Sequence, residues 1–151
     1  MKILIATIGK VKASPERDLY LSYTSRLPWK LECREFEVKL EDVEQRKHKE
    51  AEYLLAACKG YDCIIALDES GKTLSSREFA TQIKQWQNQG NSSLAFIIGG
   101  SDGLHESVLK QAKLVWSFGR VTWPHMLVRG LLAEQLYRAN SILTNHPYHR
   151  D

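Results

Sequence analysis

The chain has 151 residues, of which 26% are charged and 43% hydrophobic, and its formal net charge at pH 7 is +3. A folded chain of this length buries about two-thirds of the surface that its unfolded form exposes, so it needs no disulfide or metal to hold a core. We therefore expect one domain over residues 1–151, which excludes a multidomain protein. A charge of +3 does not by itself indicate a polyanionic partner.

The cysteines indicate a reducing environment. Cys33, Cys58 and Cys63 are odd in number and include no C-x-x-C pair, which argues against a secreted disulfide framework and against a metal site. We expect a cytoplasmic protein without a bound metal. No apolar stretch approaches the roughly 20 residues needed to cross a bilayer, so we expect no membrane function.

The first half of the chain alternates between strand-like and helix-like patterns. The apolar run of residues 1–8 predicts a buried strand rather than a signal peptide. Ser14 and Pro15 predict the start of a helix. Residues 35–40 alternate between apolar and charged side chains, which predicts a half-buried edge strand. A charged helix is expected from about residue 43 to residue 59.

The second half continues this alternation. Residues 63–67 and 94–98 are short continuous apolar runs, typical of strands covered on both faces, and a polar turn is expected at 68–72. Ser75 with Glu78 forms a capping-box signature for a third helix. A short helix after residue 103 and a fifth strand at residues 114–118 follow.

Five strands interleaved with helices predict an α/β fold. We expect a parallel or mostly parallel sheet of five or six strands with helices on both faces. Ligands bind at the carboxyl ends of such strands, so the loops after Leu67, Ile98 and Phe118 should meet in one pocket. The Gly99-Gly100-x-x-Gly103 loop allows backbone amides to approach a ligand, although a tight turn explains these glycines equally well. It matches neither a Rossmann fingerprint nor a Walker loop.

A long apolar helix is predicted at about residues 126–143. Its apolar residues cover several faces, so we expect it both to lie deep in the fold and to contribute to a subunit interface. Gly130 costs roughly 1 kcal/mol in a helix relative to alanine and indicates a close backbone contact. His125, just before the helix, suits a base, a phosphate contact or a capping group.

The C-terminal end is rich in arginine and histidine. Residues 114–151 contain four arginines and no lysine, and arginine suits bidentate phosphate contacts. The rings and guanidinium groups of residues 145–150 suit stacking and phosphate contacts on RNA. A disordered terminus is the alternative interpretation of these six residues.

Three segments together resemble one family, the ribosomal RNA large subunit methyltransferase H group of the SPOUT superfamily. They are Ala66–Ser76, Ile97–Leu104, and Thr122–His125 with its continuation through Arg129, Glu134–Ala139 and Pro147–Arg150. The likeness covers essentially the whole chain. It departs from the family pattern at residues 119–121, where many members carry Ser-Lys-Met, and at Met126, where glutamine is frequent.

The resemblance implies an α/β methyltransferase that forms a homodimer and whose C-terminal part is tied in a trefoil knot. Knots are nearly absent among folds, so periodicity alone does not predict one. The cofactor implied is S-adenosylmethionine. By this similarity and the glycine loop, the expected cofactor-binding residues are Leu67, Gly99, Gly100, Gly103, Phe118, Gly119, Arg120, Val121, Thr122 and Trp123.

The reaction implied is methylation at N3 of a pseudouridine in a 23S rRNA hairpin on the assembled ribosome, with no DNA partner. The expected catalytic residues are His149, Arg150 and Arg138. The expected RNA-binding residues are His125, Arg129, Arg138, Tyr148, His149 and Arg150. One subunit is expected to hold the cofactor and the other to supply the basic tail. The alternatives are another RNA substrate such as tRNA, a non-catalytic ribosome-binding factor, and a small-molecule enzyme.

Overall fold

The computed structural model describes residues 1–150. Within these residues, five strands alternate with five helices. The strands are β1 (Lys2–Ile8), β2 (Lys30–Phe36), β3 (Cys63–Thr73), β4 (Ser93–Ile98) and β5 (Leu114–Ser117). The helices are α1 (Pro15–Thr24), α2 (Val43–Ala57), α3 (Ser76–Asn88), α4 (Glu106–Gln111) and α5 (His125–Leu143).

The strands form one sheet in the order β2-β1-β4-β3-β5, and every neighbouring pair is parallel. The predicted parallel α/β fold is therefore confirmed, with five strands in the sheet. β4 lies at its centre, and all six of its residues are buried. This matches its continuous apolar sequence, because a central strand has a core on each face.

The two faces of the sheet carry two separate apolar cores. Ile5, Ile65 and Phe96 point to one face, where they pack with α1, α3 and α5. Their neighbours Ala6 and Ala95 point to the other face, towards α2 and α4. The period-two alternation of a strand thus sends successive residues into different cores, and the prediction of helices on both faces is confirmed.

Local signals in the sequence fix several helix ends. Ser14 accepts a hydrogen bond from the backbone of Arg17 at the start of α1. The capping box is also present: the Glu78 amide donates to Ser75 Oγ at 3.1 Å and the Ser75 amide donates to Glu78 Oε2 at 2.7 Å. These reciprocal bonds satisfy amides that have no partner within α3.

Two strand boundaries differ from the sequence-based prediction. β2 spans Lys30–Phe36 and overlaps the predicted strand at residues 35–40 by only two residues, because its partner β1 runs from Lys2, which pairs with Lys30, to Ile8, which pairs with Phe36. Residues 68–72, predicted as a polar turn, belong to β3, which bulges and then pairs again with β5. Gly71 lies in this bulge, where a Cβ atom would come within 2.5 Å of the Val115 carbonyl oxygen.

None of the three cysteines forms a disulfide. Burial raises the pKa of the Cys58 thiol to about 11, so this group stays protonated at neutral pH. Within residues 1–150, no helix combines the length and apolar character needed to span a membrane. The trefoil knot stays a prediction.

α5 packs closely on α1 at Gly130. A Cβ atom there would lie 2.8 Å from Leu19 Cδ2 and 3.1 Å from Leu19 Cγ. The close contact predicted for this glycine is thus present, and it is made with a side chain rather than with backbone. Glycine allows the two helices to approach at this point.

Alanine at position 130 should have different effects on stability in two backgrounds. Gly130→Ala alone forces Leu19 to move, which offsets the gain of about 1 kcal/mol in helix propensity. In a Leu19→Ala background that gain should be realised, so the effect of Gly130→Ala on the free energy of unfolding should differ by about 1 kcal/mol between the two backgrounds. Urea unfolding of the four proteins measures this coupling, and equal effects in both backgrounds would refute it.

Candidate active site

A cavity of about 660 Å³ lies at the carboxyl ends of β4 and β5, beside the bulge in β3. Its walls come from the segments after Leu67, Ile98 and Phe118, which meet as expected, although the segment after Leu67 is the bulged part of β3 and not a loop. Eight of the ten predicted cofactor-binding residues line it: Leu67, Gly100, Gly103, Phe118, Gly119, Val121, Thr122 and Trp123. The other two, Gly99 and Arg120, lie beside the cavity without lining it.

The glycine loop after β4 is a tight turn. The Gly103 amide donates to the Gly100 carbonyl at 3.1 Å, and Gly103 has a φ of 78°. A Cβ atom at Gly99 would lie 2.9 Å from Leu104 Cδ2 and 3.1 Å from the Gly103 carbonyl group. The loop is also held from α2, because Arg46 pairs with Asp102. Glycine at position 99 is therefore required for the shape of the cavity wall.

The loop after β5 is held by its own hydrogen bonds. Ser117 Oγ accepts from the Gly119 amide at 3.1 Å and donates to the Gly119 carbonyl at 2.9 Å. Trp123 Nε1 donates to the Phe118 carbonyl at 3.2 Å. Val121 is 59% exposed and Trp123 39% exposed, although both line the cavity. The loop after β5 therefore forms an entrance to the cavity, the cavity mouth, that presents apolar surface to solvent.

A few polar groups line or adjoin the cavity. Trp116 is 2% exposed, and its indole N–H has no hydrogen-bond partner among the described residues. Asp68 and Glu69 add carboxylates to the lining. Burial, together with nearby Arg129, lowers the pKa of His125, which therefore is neutral at pH 7. The site combines an apolar floor, backbone amides and a few polar groups.

Arg129 is not on the surface, and the structure corrects the expectation that it binds RNA. Its side chain is 3% exposed and pairs with Glu35 at 2.8 Å. It also donates to the carbonyls of Ile8, at 3.4 Å, and Gly9, at 2.5 Å. Arg129 therefore ties α5 to the ends of β1 and β2. Its partner is 94 positions away in sequence, so no local pattern indicates the pair.

The predicted catalytic residues lie together, away from the cavity. Arg138 Nη1 lies 3.1 Å from His149 Nδ1, and the Arg138 guanidinium lies 4.7 Å from the ring centroid of Tyr148. Because a guanidinium only donates, Nδ1 is the acceptor here, which leaves the proton of a neutral imidazole on Nε2. Arg150 is exposed. Of the described residues, none after Val128 lines the cavity.

The family model described as "Predicted SPOUT methyltransferase" matches residues 1–149. Ribosomal RNA large subunit methyltransferase H from Paramagnetospirillum magneticum is 50% identical over 151 residues, and the protein of that name from Rhodospirillum centenum is 46% identical over 151 residues. Each alignment covers 99% of both chains. The chain belongs to the SPOUT methyltransferase family. The resemblance noted in the sequence to the ribosomal RNA large subunit methyltransferase H group is thereby confirmed.

Solved structures show the same fold. A protein described as a probable methyltransferase from Bordetella pertussis aligns with 91% of this chain and 95% of its own, with a TM-score of 0.62 at 12% identity. A probable methylase family protein from Haemophilus influenzae aligns with 99% of this chain and 70% of its own, with a TM-score of 0.60. At such low identity these likenesses establish the architecture alone.

In this SPOUT methyltransferase, sequence reasoning missed several residues of the site. Trp116 lines the cavity although its sequence position predicts only a strand, and Asp68 lines it although the sequence predicts only a turn there. The sequence indicates no separate role for Glu134, yet it accepts hydrogen bonds from both Arg138 and Tyr148. A signal existed for Trp116, because it immediately precedes a strand end. For Glu134, the spacing of four residues to Arg138 was the available signal.

Breaking the buried ion pair should destabilise the protein in a pH-dependent way. Arg129→Met leaves the partly buried Glu35 carboxylate without its cation and should lower the free energy of unfolding at pH 7 by about 2–3 kcal/mol. Although burial acts to raise the pKa of Glu35, hydrogen bonds from Arg129 and the Val11 amide lower it overall. The unfolded chain therefore takes up this proton first as pH falls below about 4.5, so the contribution is present above that pH and lost below it.

The loss caused by Arg129→Met should thus shrink between pH 7 and pH 3.5 in urea unfolding. Arg17→Met, an exposed change on α1, is the control and should stay within about 0.5 kcal/mol of the unsubstituted protein. Glu35→Gln tests the same pair if Arg129→Met does not fold. A loss that is equal at both pH values would exclude the ion pair as its cause.

Proposed function

We propose that this protein uses S-adenosylmethionine to methylate N3 of a pseudouridine in large-subunit rRNA. The observation that carries the proposal is the cavity formed by the bulge in β3 and by the loops after β4 and β5 in a SPOUT methyltransferase. The name of its relatives supports rRNA as the substrate. We further propose that the substrate is the assembled ribosome, that the reaction takes place in the cytoplasm, and that residues 1–151 act as a single domain.

The residues around the cavity fit the cofactor. A volume of about 660 Å³ is within the range for ligands of this size. Leu67, Ile98 and Phe118 provide apolar contacts for a flat base, and the Trp116 indole N–H is a buried donor without a protein partner. The carboxylates of Asp68 and Glu69 would complement the positive charge of the cofactor. When bound, S-adenosylmethionine supplies an electrophilic methyl group on a sulfonium sulfur.

The protein itself must activate N3 of the base and align it with the methyl group. N3 of pseudouridine is an imide nitrogen that carries a proton, so it becomes a good nucleophile only as that proton leaves. We assign His149 and Arg150 the task of favouring the anion, and the N3 proton is released to water. Arg150 is a permanent cation, and His149 Nε2–H is a donor while Arg138 occupies Nδ1. Alignment of the two reactants in the cavity mouth supplies further rate enhancement.

The separation of tail and cavity supports a site shared between two chains. Arg138 lies about 20 Å further along the axis of α5 than His125, given a rise of about 1.5 Å per residue. His125 lines the cavity, whereas His149 contacts Arg138. A second copy of the chain would bring its tail to this cavity. The half-buried residues Leu127 and Leu131 on α5 and the exposed Val121 offer apolar surface for such a homodimer.

Methyl transfer to ribosomes tests the function directly. The purified protein is incubated with radiolabelled S-adenosylmethionine and ribosomes from cells that lack this methylation, and the labelled nucleotide is mapped. We expect label at N3 of one large-subunit pseudouridine. Gly99→Ala should weaken cofactor binding in calorimetry at least tenfold, about 1.4 kcal/mol, because its Cβ displaces the glycine loop. Gly90→Ala, at a position where a Cβ atom would meet nothing within 4 Å, is the control and should bind normally.

The outcomes separate the alternatives. Label on tRNA or another RNA, with normal cofactor binding, would replace the substrate and keep the reaction. An absence of cofactor binding together with ribosome binding would favour a non-catalytic ribosome-binding factor. Activity without RNA would indicate a small-molecule enzyme.

Mixed dimers test the shared site. A Gly99→Ala chain with a normal tail is co-expressed with a His149→Ala/Arg150→Ala chain with a normal cavity, and the mixed dimer is isolated by two tags. At a cofactor concentration well below the Kd of the Gly99→Ala chain, each homodimer should be nearly inactive. If cavity and tail come from different chains, the mixed dimer contains one intact site and should recover about half of the normal activity per dimer. No recovery, or a monomer at micromolar concentration, would contradict a shared site.

A further inference from the structure

The segment after α5 folds back onto the helix that it follows. Asn145 adopts a left-handed φ of 55°, and the His146 amide donates to the Ser141 carbonyl at 2.8 Å. The Tyr148 ring then lies edge-on to the ring of Tyr137, with 4.8 Å between centroids. Tyr148 and His149 are therefore packed on the fold, and residues 145–149 do not form the disordered terminus that was the alternative.

The hydroxyl of Tyr148 is the anchor of this segment. It donates to Glu134 Oε1 at 3.0 Å and shares a hydrogen bond of 3.1 Å with the Tyr23 hydroxyl of α1. Burial, with the hydrogen bonds to Tyr23 and Glu134, raises the pKa of Tyr148, so the hydroxyl stays protonated and can donate. The tail is thus bound to two helices through one side chain.

Glu134 connects this anchor to the predicted catalytic groups. The same Oε1 atom accepts from Arg138 Nε at 2.8 Å and pairs with Nη2 of that guanidinium. The remaining terminal nitrogen of Arg138, Nη1, meets His149 Nδ1 at 3.1 Å. The side chains of Arg138 and Glu134 are only 25% and 18% exposed, so this pair is less screened than a surface ion pair.

The other carboxylate oxygen fixes Glu134 itself. Glu134 Oε2 accepts from Gln135 Nε2 at 2.7 Å, and Gln135 Oε1 accepts from Ser76 Oγ at 2.8 Å. Ser76 is the first residue of α3. A continuous series of hydrogen bonds therefore runs from the start of α3 through Glu134 to the tail. Both oxygens of the carboxylate are used, and neither reaches the cavity.

We propose that Glu134 is a positioning residue for methyl transfer: its carboxylate holds Arg138 and Tyr148 so that His149 and Arg150 are presented to the RNA base in one geometry. The proposal rests on the proposed function. Glu134 touches neither cofactor nor base in this arrangement and acts through the tail. A carboxylate suits this task because one of its oxygens can accept from several donors at once and its charge balances Arg138.

Three measurements on Glu134→Gln test this role in the full-length protein. We expect kcat for ribosome methylation to fall about tenfold or more, while the Kd for S-adenosylmethionine stays within about twofold. Hydrogen exchange at residues 145–150 should become faster, because the tail is released more often. Tyr148→Phe removes only the hydroxyl and should show a smaller loss in the same direction. Glu106→Gln, which breaks the exposed pair with Lys110 on α4, is the matched control and should change nothing.

A double substitution separates positioning from a general structural effect. If Glu134 acts through the tail, Glu134→Gln should cause little further loss in a His149→Ala background, because the group that it positions is already gone. The proposal would be overturned if the losses in kcat from the two substitutions multiply in full in the double variant. It would also be overturned if Glu134→Gln leaves either kcat or the hydrogen exchange of residues 145–150 unchanged. If the unsubstituted protein transfers no methyl group to ribosomes, the proposed function is overturned instead. The role of Glu134 in that reaction is then overturned as well.

Discussion

All five strands point the same way, and this constraint fixes where the protein can bind a ligand. Parallel strands bring their carboxyl ends to one edge of the sheet, and their connections must leave from that edge. The bulge in β3 and the loops after β4 and β5 therefore share one space although their sequences lie far apart. Glycine at positions 99 and 119 allows two of these loops to turn tightly there, and the apolar strand ends form the floor of the cavity.

α5 connects this edge to the rest of the molecule. At its first turns, Arg129 bonds to the backbone at the end of β1 and to Glu35 of β2. Further along, Gly130 and Leu132 pack against α1 and the sheet core, and Glu134 bonds to Arg138 and Tyr148. One helix therefore carries the cavity rim at its start and the tail anchor in its second half. The distance between these two ends is set by the rise of the helix, which is why a single chain does not join them.

Features set by local sequence could be predicted, and features that depend on distant partners could not. The capping box of Ser75 and Glu78, the buried strand at residues 94–98 and the meeting of the three loops follow from short-range patterns and are confirmed. The alternation at residues 35–40 continues past the end of β2, because a strand exists only where a neighbour pairs with it and β1 stops at Ile8. Arg129 carries no mark in the sequence that separates a buried arginine from one on the surface.

The two parts of the proposed site place different demands on the sequence. The loop at residues 117–121 is shaped by backbone, with Gly119 at a φ of 108° and its amide and carbonyl both bonded to Ser117 Oγ, and Arg120 does not line the cavity. Departures from the family pattern at residues 119–121 therefore leave the cavity wall in place. The tail cluster depends instead on side-chain atoms, because Glu134 accepts hydrogen bonds from both Arg138 and Tyr148. Substitutions should thus be tolerated better in the loop at residues 117–121 than in this cluster.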